Sequence, residues 1–268
     1  MTERTHAAPL PTLFVVALLT TLAAGVARGA DTAADDGPAA LPYRPSVSTP
    51  AALSAPGWLE VEAGLQHQHD GPAARRDSLP VTLKLAFTAD WGVRVGSDAW
   101  VRARDADQRD SGFGDTGIVV KRRFAVDEQQ AFGLEAGVVV PTAGRGIGSG
   151  SGKADYGVNA IYSADFGAWH TDLNATATRV GAVGAGSGRV QWAGAAALSR
   201  SFDAWGVVGE VSGSRRSGET SSRQLLGALS YSVSKRLVVD AGMARSLRSG
   251  PPQWSAFTGF TWLAMRLF

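Results

Sequence analysis

Three histidines lie beyond the first thirty residues: His67, His69 and His170. His67 and His69 stand at i and i+2, so in a strand they share one face. That spacing can hold a metal ion, but no third ligand accompanies the pair, and no metal site is assigned. His67 could also serve a serine hydrolase as its base, which would need a serine beside it in space; no serine in a matching context stands out. With no Cys in the chain, thiolate zinc sites, Cys nucleophiles, disulfide scaffolds and a lipid-modified N-terminal Cys are excluded. The Gly-rich runs 144–152 and 184–188 are not followed by Lys-Ser/Thr or by a helical pattern, so they are not phosphate loops. No catalytic residue and no cofactor is assigned.

The other side chains with chemistry to offer are charges that alternate with apolar residues. In 78–88, Leu79, Val81, Leu83, Leu85 and Phe87 point one way, and Thr82, Lys84 and Thr88 the other. The same period of two runs through 92–104, 155–165 and 223–233, and it marks strands, not helices. Twelve strands are expected, at 58–69, 78–88, 92–104, 113–124, 131–140, 155–165, 170–180, 189–202, 206–214, 223–233, 237–246 and 254–268. Their connections sort into a short set and a long, Gly-rich, polar set. Short turns at one end and long loops at the other, an even strand number and strands of about ten residues point to an all-β transmembrane up-and-down antiparallel β-barrel.

The composition agrees. Lys and Arg total 26 against 24 Asp and Glu, a net charge of +2, which excludes a strongly cationic nucleic-acid binder. Mean hydropathy of −0.02 excludes a polytopic helical membrane protein, whereas barrel strands average near zero. Residues 1–27 read as a signal peptide: an early Arg4, an apolar run over 13–24 and small residues before a cut after Ala27. Residues 28–56, rich in Ala, Pro, Ser and Asp, read as an extended periplasmic arm, and 57–268 as the barrel. Trp58, Phe87, Trp91, Phe124, Phe132, Phe166, Trp169, Phe202 and Trp205 fall at the short-turn end, where a periplasmic aromatic girdle would stand. Trp100, Tyr156, Trp192 and Trp254 lie nearer the long loops and suit a second girdle. The chain ends in Phe268, as barrel proteins often do for recognition by the assembly machinery; Arg266, two before the end, departs from that pattern.

Three stretches carry a family resemblance: RPSVSTPAALSAPGWLEVEAG (44–64), GFGDTGIVVKRRF (112–124), and 134–169, with Pro141-Thr142, a Gly/Ser loop and Asp155. From residue 44 to the end the chain resembles the MetA-pathway of phenol degradation family. The resemblance implies an outer-membrane channel of a Gram-negative bacterium, with a substrate class given only by association with aromatic degradation.

If the apolar face meets lipid, the other lines a lumen with Glu60, Glu62, Lys84, Arg94, Asp98, Arg102, Asp115, Lys121, Arg123, Glu135, Asp172, Asn174, Glu210 and Asp240. Both signs occur, which suits either cross-lumen ion pairs that hold the barrel or a solute path lined by charge. A twelve-stranded lumen is intermediate in width, so a narrow passage is expected, or one occluded by a folded-in loop or by the arm. The loop 141–154 is either a lid or a free external loop. The expected function is passive uptake of small solutes, hydrophobic or aromatic ones among them, with outer-membrane lipid as surroundings and no nucleic acid. The alternatives are a barrel-wall lipid hydrolase using His67 and a non-conducting structural or adhesive barrel.

Overall fold

The computed structural model describes residues 37–71, 74–105, 108–144, 150–247 and 253–268. The expected signal peptide, 1–27, and the start of the expected arm, 28–36, lie outside the described residues. So do 72–73, 106–107, 145–149 and 248–252, within four of the expected loops.

From Trp58 onward the wall is antiparallel β: β1 (Trp58–Asp70), β2 (Ala74–Ala86), β3 (Trp91–Asp105), β4 (Gln108–Gly112), β5 (Thr116–Ala125), β6 (Gln130–Val140) and β7 (Asp155–Phe166). It continues with β8 (Trp169–Arg179), β9 (Val190–Phe202), β10 (Trp205–Arg216), β11 (Ser222–Ser234), β12 (Leu237–Ser246) and β13 (Gln253–Arg266). Each strand pairs with its neighbour, β1 pairs with β13, and the β2–β3 pairing completes the circle. β4 and β5 both pair with β3, and between them the Gly114 N–H donates to the Asp98 carbonyl. They are two stretches of one wall position, so the molecule is a closed twelve-stranded barrel. A closed barrel leaves no edge unpaired, which a hydrocarbon environment demands.

The alternation is inverted relative to a water-soluble sheet. Leu134, Val211 and Leu229 are 50%, 52% and 53% exposed, while Glu60, Lys84 and Glu210 are 0%, 2% and 2% exposed. The apolar face is the outside, and the charges are inside.

Two connections are tighter than expected. β1 runs to Asp70 and β2 starts at Ala74; β3 runs to Asp105 and β4 starts at Gln108. These segments are polar on both faces, which reads as loop, yet the ladder continues through them. The expected strand 113–124 starts instead as β5 at Thr116. Between β2 and β3 the register shifts at Leu79/Pro80: Leu79 faces Trp100 and Pro80 faces Asp98. Proline has no N–H for the ladder, so it suits a bulge, and Ala99 is the extra residue. The bulge reverses the facing of the rest of β3.

Candidate functional site: the lumen and its inner segment

Residues 37–56 do not extend away from the barrel. They enter at the short-turn end, where the Ala40 N–H donates to the Lys235 carbonyl, and return to Pro56, which bridges Ala86. Between those points the segment is bonded to inward-facing residues on both sides of the barrel, so it lies in the lumen. On the β1–β2 wall, Glu60 accepts from the Leu41 N–H at 2.7 Å and Glu62 from the Tyr43 N–H at 2.7 Å. On the β12 wall, the Arg44 guanidinium reaches both oxygens of Asp240 at 3.2 Å. At mid-height, Glu210 of β10 accepts from the Val47 N–H, the Ser48 N–H and the Ser48 hydroxyl at 3.2, 2.8 and 2.8 Å. Asn174 of β8 exchanges two bonds with the Thr49 backbone. The Ser163 hydroxyl accepts from the Ala51 N–H and donates to Asp172. Five wall positions therefore satisfy backbone groups that would otherwise be buried without partners.

Tyr43 is the centre of the ionic part. Its ring lies between two ammonium groups, Lys84 Nζ at 3.9 Å and Lys121 Nζ at 4.1 Å from the centroid, a desolvated cation–π arrangement. Its hydroxyl donates to the Ala52 carbonyl and accepts from Lys121. Burial, reinforced by Glu135, pushes the Tyr43 phenol up, so it remains a neutral donor. Lys84 is paired with Glu60 at 2.5 Å and Glu62 at 2.7 Å, and it donates to the Leu41 carbonyl. Lys121 pairs with Glu135 at 3.1 Å and donates to the Pro50 carbonyl. Glu135 also takes Arg94 at 3.2 Å and Asn159 at 3.0 Å. Each charge of this ionic part has an opposite charge beside it, which helps to keep it buried, whereas Glu210 is held by its three hydrogen bonds to the inner segment.

Several wall glycines have a steric reason. A Cβ on Gly64 would lie 2.5 Å from Arg44 Nη2, and one on Gly133 would lie 3.2 Å from Ala51 Cα. The wall is thinned where the inner segment touches it.

The remaining expected lumen residues are more scattered. Asp98 pairs with Arg76 at 2.7 Å nearer the long-loop end. Asp115 accepts from the Ala143 and Ser151 N–H groups and so ties down the two described ends of loop 141–154. Arg123 is half-buried on the face of Lys121. Arg102 differs: the bulge at Ala99 sets it exposed, opposite Asp77 and on the face of Trp100. The even alternation that grouped it with Arg94 and Asp98 does not hold across that bulge. Tyr43, Arg44, Ser48, Thr49, Asn159, Ser163 and Thr261, whose hydroxyl donates to Glu62 at 3.2 Å, belong to the network but were not expected; they are single polar residues in Ala-rich or alternating contexts, without a motif.

Above the inner segment, on the long-loop side, the β5–β8 wall lines an open-sided cavity of about 150 Å³. Its side walls include Gly117, Gly137, Gly157 and Val119, and its polar lining is Arg94, Glu135, Asp155, Asn159, Thr176 and Thr178. On the outer surface, His67 Nδ1 lies 2.6 Å from Asp77. The cross-strand neighbours of His67 are Asp77 and Ala256, so neither offers a hydroxyl. Among the described residues no group of three or more His, Asp or Glu is arranged to hold a metal ion.

A closed barrel with an apolar exterior and a charged, filled interior defines an outer-membrane-type β-barrel. Within that class, the chain belongs to the family described as MetA-pathway of phenol degradation, whose profile matches residues 52–265. The COG4313 outer membrane channel from Pseudomonas putida F1 superposes with a TM-score of 0.65 at 12% identity, covering 79% of this chain and 97% of that one. The NanC porin gives 0.55 at 10% identity, over 76% and 98% of the two chains. The CymD monoaromatic hydrocarbon channel gives 0.50 at 10% identity, over 80% and 90%. At such identities the likeness is one of fold. Comparison with curated protein sequences finds no match.

Proposed function

We propose that the protein is an outer-membrane channel for passive entry of small, apolar or aromatic solutes, and that residues 37–56 close its lumen on the short-turn side. One observation carries the reading: a barrel whose interior is occupied by its own N-terminal segment, with a cavity left open above it. The cavity's size supports a small solute, because an apolar cavity of about 150 Å³ accepts a benzene-sized molecule. Its glycines and Val119 favour a flat apolar body, and Arg94, Asn159, Thr176 and Thr178 in the same lining offer polar groups to one oxygen of the solute. The phenol-degradation family and the CymD monoaromatic hydrocarbon channel support the aromatic class. Such a channel needs no catalytic residue, and His67 with only Asp77 beside it lacks the nucleophile a lipid hydrolase would require.

The test is uptake of labelled phenol into liposomes containing the purified protein. Wild type should admit phenol faster than empty liposomes. Gly157→Leu, at a position where a Cβ meets nothing closer than 3.4 Å, should fill the cavity and slow uptake severalfold without unfolding the barrel. Equal rates for wild type and empty liposomes, with and without residues 31–56, would refute the channel.

A further inference from the structure

The outer wall carries a second chemistry at the long-loop end. Arg75, Arg102 and Arg104 are exposed on the lipid-facing parity of β2 and β3. Further round the barrel, exposed arginines stand directly across from the aromatic residues of that end: Arg245 faces Trp254, Arg215 faces Trp192 and Arg179 faces Tyr156. Trp192 and Tyr156 are 56% and 53% exposed, so the aromatic belt and the guanidinium belt share one level. At the outward strand positions of this end the one carboxylate among the described residues is Asp77, and it is taken by His67. The long-loop end's other acids lie at inward positions, at strand ends or in loops: Asp98 bonds Arg76, Asp115 bonds loop 141–154, Asp155 bonds the Gly181 N–H, Glu219 bonds Arg216, Asp110 shares the inward face of Ala103, and Asp70 and Asp105 end their strands.

The short-turn end is built differently. There the arginines lie over aromatic rings, Arg122 on Trp91 and Phe124, and Arg200 on Trp169 and Phe202. Carboxylates stand in the adjoining turns at Asp90, Asp127, Glu128 and Asp203, and Asp165 at the end of β7 is paired with His170. The net outward charge is thus concentrated on one rim.

We infer that this rim is a binding belt for the phosphate groups of a phosphorylated glycolipid in the outer leaflet. The inference rests on the outer-membrane reading. Guanidinium groups fork two donors onto a phosphate, and at the aromatic girdle their stems can lie along the acyl boundary while the heads reach the headgroups. A zwitterionic leaflet offers no reason to gather unpaired cations on one rim, whereas an anionic headgroup layer attracts each of them. Phosphate is the chemistry, and a glycolipid with two phosphates on a sugar core spans neighbouring arginines on adjacent strands.

The test uses the purified full-length protein in detergent, with bis-phosphorylated lipid A as probe and native mass spectrometry as readout. The variant R75Q/R102Q/R104Q should retain lipid A about tenfold more weakly than wild type. R122Q/R200Q, at the other rim, should bind as wild type does. Lipid A stripped of its phosphates should not be retained. If the triple variant loses its heat-modifiable migration on gels, the R215Q/R245Q pair on β10 and β12 replaces it. Equal retention by the rim variants, equal retention of dephosphorylated lipid A, or mole-for-mole competition by phosphatidylglycerol would overturn the assignment. Phenol uptake that fails while lipid A binding persists would refute the channel and leave the belt standing.

Discussion

Glu210 holds the apex of the inner segment, and its removal is a quantitative test of how that segment is docked. The carboxylate is 2% exposed and accepts three bonds, from the Val47 and Ser48 N–H groups and the Ser48 hydroxyl. At about 1.5 kcal/mol per bond to a charged acceptor, the low end of the range, the three contribute about 4.5 kcal/mol. Water admitted to the space that Glu210 vacates can satisfy part of the freed N–H and hydroxyl groups, which returns about 1–2 kcal/mol. Glu210→Ala should therefore weaken apex docking by about 3 kcal/mol, which raises the undocked population roughly hundredfold. The chain has no Cys, so a single introduced thiol reports on one place. Thr49 is 7% exposed and bonded to Asn174. In a Thr49→Cys background, a water-soluble maleimide should react about two orders of magnitude faster when Glu210→Ala is added. Rates that agree within threefold would refute the claim that Glu210 holds the segment in the lumen.

Other expectations follow from the same network. Lys84→Ala leaves Glu60 and Glu62 buried without their shared cation and should cost about 3–5 kcal/mol, read as a lower temperature for loss of heat-modifiable migration. Adding Glu62→Gln to Lys84→Ala should recover part of that loss. Gly64→Ala should loosen the inner segment and strain the β1–β13 pairing, because its Cβ would collide with Arg44 and with the Thr258 carbonyl, while Gly227→Ala, with nothing within 4 Å, should be neutral; maleimide labelling of Thr49→Cys separates the two. Asp115→Asn should speed protease nicking within 141–154 and leave barrel melting unchanged, because Asp115 bonds the loop and not the wall.

The barrel was legible because a membrane forces its signal into the chain. Over 78–86 the β2 strand alternates strictly, and Lys84, Lys121, Glu135, Glu210 and Asp240 stand where such alternation puts the inner face. Occlusion by the arm was one of the expected alternatives, but the sequence did not select it over an arm extended away from the barrel, because the bonds of 37–56 to the wall come mainly from backbone N–H groups, which every sequence has. Only Tyr43, Arg44, Ser48 and Thr49 add side-chain bonds, and none forms a recognisable motif. Arg102 was misassigned because a one-residue bulge reverses parity; Pro80 across the ladder was the available sign. The glycines of the wall were read as relief for a curved sheet. Gly64 and Gly133 also clear space for a segment that the local pattern gives no hint of.

The central claim is that a conducting path exists and that residues 37–56 obstruct it. Single-channel recording in planar bilayers tests this most directly, comparing the mature chain with the same chain lacking residues 31–56, both checked for heat-modifiable folding. The account predicts small, intermittent steps for the mature chain and larger, sustained steps for the shortened one. Indistinguishable conductance from the two folded proteins would contradict it.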